Sequence, residues 1–211
     1  MKYDDFRQKF KKFPVIDTDT AIRLTQENTQ VMRNQISRWV KSGQLVQLKR
    51  GLYLFNENDR DQKVTNLFCG NKLYEPSYVS METALSLYGI IPEGVSVVTS
   101  ITTKVTKRFR NKVGDFLYQH IKPQAFRGFR QETFGGLPVF IAEPEKAVLD
   151  FLYLNSARFG KDPEGQLRES FRFQTGADVD IKRMRELVEV FGSQKLDRLA
   201  EAAITILGKE Q

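Results

Sequence analysis

Residues 29–55 read TQVMRNQISRWVKSGQLVQLKRGLYLF, and the order of patterns within them decides the fold of the amino-terminal part of the chain. Wound at about 100° per residue, Met32, Ile36, Trp39 and Val40 fall on one side of a helix, the i, i+4, i+7, i+8 spacing of a core-facing stripe. Gln30, Arg33, Asn34, Ser37 and Lys41 fall on the other. Thr29 is the predicted N-cap, because its hydroxyl can accept from a free first-turn amide. Gly43 is the predicted stop, because it enters the left-handed region without a Cβ clash. Two short apolar runs follow and meet at Lys49-Arg50-Gly51. The order is that of a recognition helix, a turn and a β-wing.

The residues upstream complete the motif. Thr18 to Leu24 is expected to be its first helix, capped by Asp17 or Thr18, with Ala21, Ile22 and Leu24 supplying apolar contacts and residues 25–28 forming the turn. Before it, Phe6, Phe10 and Phe13 recur in helical phase over Tyr3 to Phe13. Pro14 ends that helix, since proline lacks the amide the ladder needs. Val15 and Ile16 are expected to form a short strand against the wing. Trp39, on the inner face, is assigned to the core.

The polar face of the helix over Gln30 to Lys41 carries side chains whose paired polar atoms match two atoms on a guanine or adenine edge. In helix-turn-helix proteins the first turns of the second helix reach the bases, so Gln30, Arg33 and Asn34 are the expected readers, with Ser37 and Arg38 further along the same helix. Lys41, Lys49 and Arg50 are the expected phosphate contacts, which fix register without carrying sequence information. An ordinary surface helix with a solvated polar face is the competing account.

At 211 residues, 40% of them hydrophobic, the chain can hold two modest domains or one large one. No apolar run approaches the roughly 20 residues needed to span a bilayer, and the amino terminus is charged rather than apolar, so neither a membrane nor export is expected. The single Cys69 makes neither an internal disulfide nor a metal site. A reducing, cytoplasmic setting fits. The net charge of +7 is unevenly spread: residues 1–55 hold 11 Lys/Arg against 5 Asp/Glu, and residues 104–130 hold 8 against Asp115 alone. Concentrated positive charge raises affinity and encounter rate for a polyanion.

Asn56 to Asp61 is a polar boundary loop, which separates residues 1–57 from a second domain over 62–211. Within the latter, helices are expected over Gln62 to Tyr74 and Met81 to Tyr88, and strands at Tyr78–Ser80 and Val95–Ile101. The pattern stays strand-like from Phe109 to Ile141, with a turn at Gly135-Gly136. A helix then opens at Pro144, and three more amphipathic helices follow: Pro163 to Phe173, Ile181 to Phe191 and Gln194 to Leu207. The expected class is α+β, an N-terminal winged helix-turn-helix followed by a mixed α+β domain with a helical tail.

Little in the sequence points to catalysis. His120 is single. No Cys/His cluster has metal spacing, and Gly135-Gly136 lacks the Lys-Ser/Thr of a phosphate loop. Glu143, Glu145 and Asp150 form the one carboxylate cluster, a nuclease-type arrangement in principle. Two of them flank a helix N-terminus, where negative charge is favoured by the unpaired amides, and Lys146 and Asp150 are spaced to pair. No cofactor or metal is expected. The second basic block (Lys104, Lys107, Arg108, Arg110, Lys112, Lys122, Arg127, Arg130) is interleaved with Phe109, Phe116, Tyr118, Phe126 and Phe129. Such a surface suits nucleic acid or a protein partner, or is simply the solvated side of a sheet.

Several stretches, in order, resemble one family: SRWVKSGQLVQLKRGLYLF (37–55), EPSYVSMETALSLYGIIPE (75–93), VVTSITTKVTKRFRNKVGDFLYQHIKP (97–123), FRGF (126–129) and IAEPEKAVLDFLYL (141–154). Together they are similar to the antitoxins of AbiE-type (abortive-infection, type IV) bacterial toxin–antitoxin systems. The resemblance spans Ser37 to Leu154 and implies a non-enzymatic protein with two tasks. An N-terminal winged helix-turn-helix would repress its own operon at inverted repeats, as a dimer or as cooperative monomers. The domain from about residue 62 would counter a nucleotidyltransferase-like toxin. A plain transcriptional regulator whose C-terminal domain dimerises or senses a ligand is the alternative.

Overall fold

The computed structural model describes residues 1–174 and 178–208. The chain is α+β, with two sheets of different size. Helix α1 (Tyr3–Phe10) leads into the short strand β1 (Ile16–Asp17), helix α2 (Thr18–Thr25) and helix α3 (Thr29–Lys41). Strands β2 (Leu45–Lys49) and β3 (Leu52–Phe55) form a hairpin, and β1 pairs antiparallel with β3 through Ile16–Tyr53 and Asp17–Leu52, giving the order β1-β3-β2. Gly51 sits at φ +85° at the hairpin tip, a conformation that suits a residue without Cβ.

Local chemistry explains these boundaries. Asp17 caps α2 by accepting from the Thr20 amide at 2.9 Å. The cap of α3 is Asn28, one residue before the expected Thr29: its Oδ1 accepts from the Gln30 and Val31 amides at 2.9 and 3.3 Å. A carboxamide at this position reaches two orphan donors that the Thr29 hydroxyl, inside the first turn, does not. Helix α1 stops at Phe10 rather than running to Phe13. Asn28→Ala should therefore cost about 1 kcal/mol (range about 0.5–2), whereas Thr29→Ala, at an exposed position, should stay within about 0.5 kcal/mol. Urea-denaturation midpoints of the two variants check the contrast.

Met32, Ile36 and Trp39 face inward on α3 as the helical phase requires, and Val40 is half-buried. Trp39 packs against Phe6 (ring centroids 4.7 Å) and edge-on to Tyr3 (5.6 Å). These rings, with Phe10, Ile16, Ala21, Leu45 and Phe55, form the smaller core.

The larger part begins with α4 (Asn66–Leu73), capped by Thr65, then β4 (Ser77–Val79), α5 (Met81–Leu87) and β5 (Val97–Thr102). Strands β6 (Lys107–Arg110), β7 (Asp115–His120), β8 (Phe129–Phe134) and β9 (Leu137–Ala142) resolve the strand-like stretch. The sheet order is β6-β7-β5-β4-β9-β8, with β5–β7 and β4–β9 parallel and the other pairs antiparallel. Alternation puts Val98, Ser100 and Phe116 toward α4 and Tyr78 and Thr99 toward α5 and α6 (Pro144–Leu154).

The expected helix over Pro163 to Phe173 is instead one turn, α7 (Pro163–Gly165), widening into a π-helical segment, Gln166–Ser170. The wider turn bonds the Phe171 amide to the Gln166 carbonyl, and the Phe171 ring lies 5.1 Å from Phe151 and 5.2 Å from Phe159. Helices α8 (Ile181–Glu189) and α9 (Gln194–Leu207) close the structure.

The hairpin belongs to both cores. Leu45 and Phe55 enter the smaller one, whereas Leu48, Leu52 and Leu54 enter the larger. Alternation along the strands lets one hairpin serve both, with Val46 on the side of the larger core and Tyr53 on that of the smaller.

Candidate nucleic-acid interface

Gln30, Arg33, Asn34, Ser37, Arg38 and Lys41 are all exposed on α3. Gln30 Nε2 donates to Asn34 Oδ1 at 3.0 Å. This i, i+4 bond uses one donor and one acceptor and leaves the Gln30 oxygen and the Asn34 amide free to bond elsewhere, an acceptor and a donor fixed side by side. Among the described residues, Arg33, Arg38, Lys41 and Arg50 pair with no carboxylate. Arg33 and Arg50 line one groove of about 450 Å³ together with Thr18, Gly51 and Tyr53. Asp17 and Asp19 line it too, the first already engaged as the α2 cap. The groove brings a helix residue and a hairpin-tip residue together, a juxtaposition the sequence does not state.

Lys49 stands apart from the other expected contacts. Its ammonium donates to the Leu73 carbonyl at 2.6 Å, at the end of α4, and it is half-buried. Burial lowers its pKa, and the repulsion of nearby Lys107 and Lys104 adds to the shift. In this arrangement Lys49 clamps the hairpin to the larger part, and Arg50 is the hairpin's outward cation. Asn111 reinforces the clamp by donating from Nδ2 to the Leu48 carbonyl at 2.9 Å. Neither bond is legible in sequence, because both join residues far apart in the chain.

The second basic block divides in space. Lys104, Lys107, Arg108, Arg110 and Lys112 lie on or beside β6, at one edge of the large sheet and next to the hairpin; Arg130 lies on β8, at the opposite edge, and Arg127 just before it. A run contiguous in sequence is thus not one surface, because β7, β5, β4 and β9 stand between its ends. Arg108 and Arg110 share Asp115 (2.5 and 3.0 Å), and Arg108 holds that carboxyl well below the usual carboxylate range. Lys104 and Lys107 sit over the Tyr74 ring at 5.4 and 5.5 Å. Arg130 pairs with Glu132, and Lys122 is held at the Phe191 carbonyl. Arg127 and Lys112 are exposed.

The carboxylate cluster does not converge. Asp150 is fully buried and accepts from Lys146, Ser80 (2.8 Å) and Tyr78 (3.0 Å). Glu145 accepts from the Asp180 amide, and Glu143 pairs with Arg183. Among the described residues no group of three His, Cys, Asp or Glu side chains is placed to hold a metal ion, and no helix is long and apolar enough to cross a membrane. Comparison of the chain with protein-family models and with curated proteins gives no match.

Proposed function

We propose that this protein is a non-enzymatic, double-stranded DNA-binding regulator whose residues 1–57 act as a winged helix-turn-helix, and that it serves as antitoxin and autorepressor in a bacterial toxin–antitoxin operon. The observation that carries the DNA-binding part is the uncovered face of α3, where Gln30, Arg33, Asn34, Ser37, Arg38 and Lys41 are exposed together and Arg33 shares a groove with Arg50. Arg33 and the Gln30–Asn34 pair read base edges; Lys41, Arg38 and Arg50 meet phosphates. The cations on and beside β6 next to the hairpin, Lys104 and Lys107 first, extend the same positive field. Support for the antitoxin part is the ordered resemblance over Ser37 to Leu154 to AbiE-type antitoxins, whose toxin is nucleotidyltransferase-like. Inverted repeats would take two copies of the chain.

The test is co-expression of the full chain with the gene beside its own, scored as growth rescue. Full-length protein is required, because a cut between residues 57 and 62 removes Leu48, Leu52 and Leu54 from the larger core. Rescue by both the wild type and an Arg33→Ala, Asn34→Ala variant, with repression kept only by the wild type, supports two separate tasks. No rescue by either removes the antitoxin assignment and leaves the regulator.

Binding to the operator should weaken steeply with salt, because several phosphates are neutralised. Arg50→Ala should lower affinity similarly for operator and unrelated duplexes and reduce the magnitude of the salt slope by about 1. Anisotropy titrations of both duplexes across a salt series measure this.

A further inference from the structure

Strands β4 and β9 share one register pair, Val79 with Ile141. The residues that run up to that pair on either strand line an apolar cavity of about 490 Å³: Pro76 and Ser77 on one side, Pro138 and Phe140 on the other, with Phe126 and Phe129 between. Asn71 of α4 stands in for the missing strand contact. Its Oδ1 accepts from the Phe140 amide at 2.6 Å and its Nδ2 donates to the Phe140 carbonyl at 3.2 Å.

Four features give the cavity a chemical character. Phe129 meets Phe126 and Phe140 edge-to-face, at 5.1 and 6.1 Å, so the aromatic walls differ in orientation. Phe140 is 45% exposed, an apolar ring that the described residues leave partly uncovered. The Ser77 hydroxyl, in a residue only 7% exposed, has no hydrogen-bond partner among the described residues. The charged groups at the cavity, Lys72 and Glu75, neutralise one another at 2.7 Å. Few polar groups on mostly apolar walls are the composition of a small-molecule site, and aromatic walls favour flat rings, in stacked or edge contacts.

We infer that this cavity binds a small, uncharged, planar aromatic molecule of one or two fused rings bearing one hydrogen-bonding group. The same helix links the site to the hairpin. Asn71 and Lys72 of α4 line the cavity, and the carbonyl of Leu73, the last residue of α4, receives the Lys49 ammonium next to Arg50. A ligand that shifts Asn71 moves the helix end that holds the hairpin.

Indole is a suitable probe, titrated into the full-length protein and followed by amide NMR. The expected result is saturable shifts of the Asn71 and Gln131 side-chain amides and of Ser77 and Phe140, reaching Leu73 and Lys49. Phe140→Ser should weaken binding by about tenfold or more by removing one aromatic wall. Gln131→Trp, at an exposed position lining the cavity, should do the same if the first variant fails to fold. Absence of saturable shifts at millimolar indole, shifts scattered away from the cavity, or unchanged binding in folded variants overturns the site. Shifts that stop short of Leu73 and Lys49 overturn the link to the hairpin alone. No DNA is present, so a negative result leaves the proposed DNA interface standing.

Discussion

Asp150→Ala should destabilise the protein by about 3–5 kcal/mol, the usual cost of removing one partner of a buried ion pair. The carboxylate and Lys146 are both fully buried, one turn apart on α6. Burial pushes the Asp150 carboxyl up and the Lys146 ammonium down, each toward its neutral form, and their mutual attraction opposes both shifts. Without Asp150, the Lys146 ammonium keeps only the faces of Tyr78 (5.4 Å) and Phe191 (4.8 Å), and the Tyr78 and Ser80 hydroxyls lose their shared acceptor. Against a total stability of roughly 5–15 kcal/mol, the loss is a large fraction. Thermal unfolding should shift down by roughly 6–20 °C for a chain of this length. The double replacement Lys146→Met, Asp150→Leu should recover much of it, since no charge is then left unpaired. A single variant within about 1 kcal/mol of wild type, the range typical of an exposed pair, would show that this pair is solvated.

The second large effect lies on α3. Arg33→Ala and Asn34→Ala should each cost about 1–3 kcal/mol at the operator if each makes a good base contact. The pair together should lose between about 30-fold and roughly 20,000-fold in affinity, less any coupling between adjacent residues. The loss should fall mainly on the operator, with unrelated duplexes affected little by Asn34→Ala, which removes no charge. Gln30→Ala should mimic part of the Asn34 effect, because the bond between them fixes both carboxamides. Competition anisotropy at fixed salt separates these outcomes.

The local elements were legible where a period or a cap is itself local. The inward stripe Met32, Ile36, Trp39 follows from spacing alone, and the short strand expected at Val15 and Ile16 forms one residue later, at Ile16–Asp17. Helix α9 occupies the stretch its pattern marks, Gln194–Leu207. The cap of α3 is displaced by one residue because Asn28 and Thr29 are both capping types, and only backbone geometry decides between them. The π-helical turn after Pro163 was not legible, since it answers to the packing of Phe171 on Phe151 and Phe159.

What sequence could not provide is the order of strands. The basic run from Lys104 to Arg130 looks like one patch in the chain, yet β6 and β8 are opposite edges of the sheet. Lys49 looks like an exposed hairpin cation, yet the larger part of the protein supplies a carbonyl for it. The pairing of Lys146 with Asp150 follows from their i, i+4 spacing. Their complete burial depends on the sheet and on helices α5, α8 and α9 meeting around α6. In each case the missing information is a contact between residues distant in sequence.

Protection of a single thiol on α3 tests the central claim most directly. Cys69 is buried, and burial pushes its thiol up to about 12, so it stays slow toward alkylating reagents. A cysteine at exposed Ser37 would then report on the reading face, and one at exposed Lys195, on α9, would serve as the control. With operator duplex at saturation, alkylation of the Ser37→Cys thiol should slow markedly while that of Lys195→Cys is unchanged. Equal rates at Ser37→Cys with and without bound DNA would contradict the account.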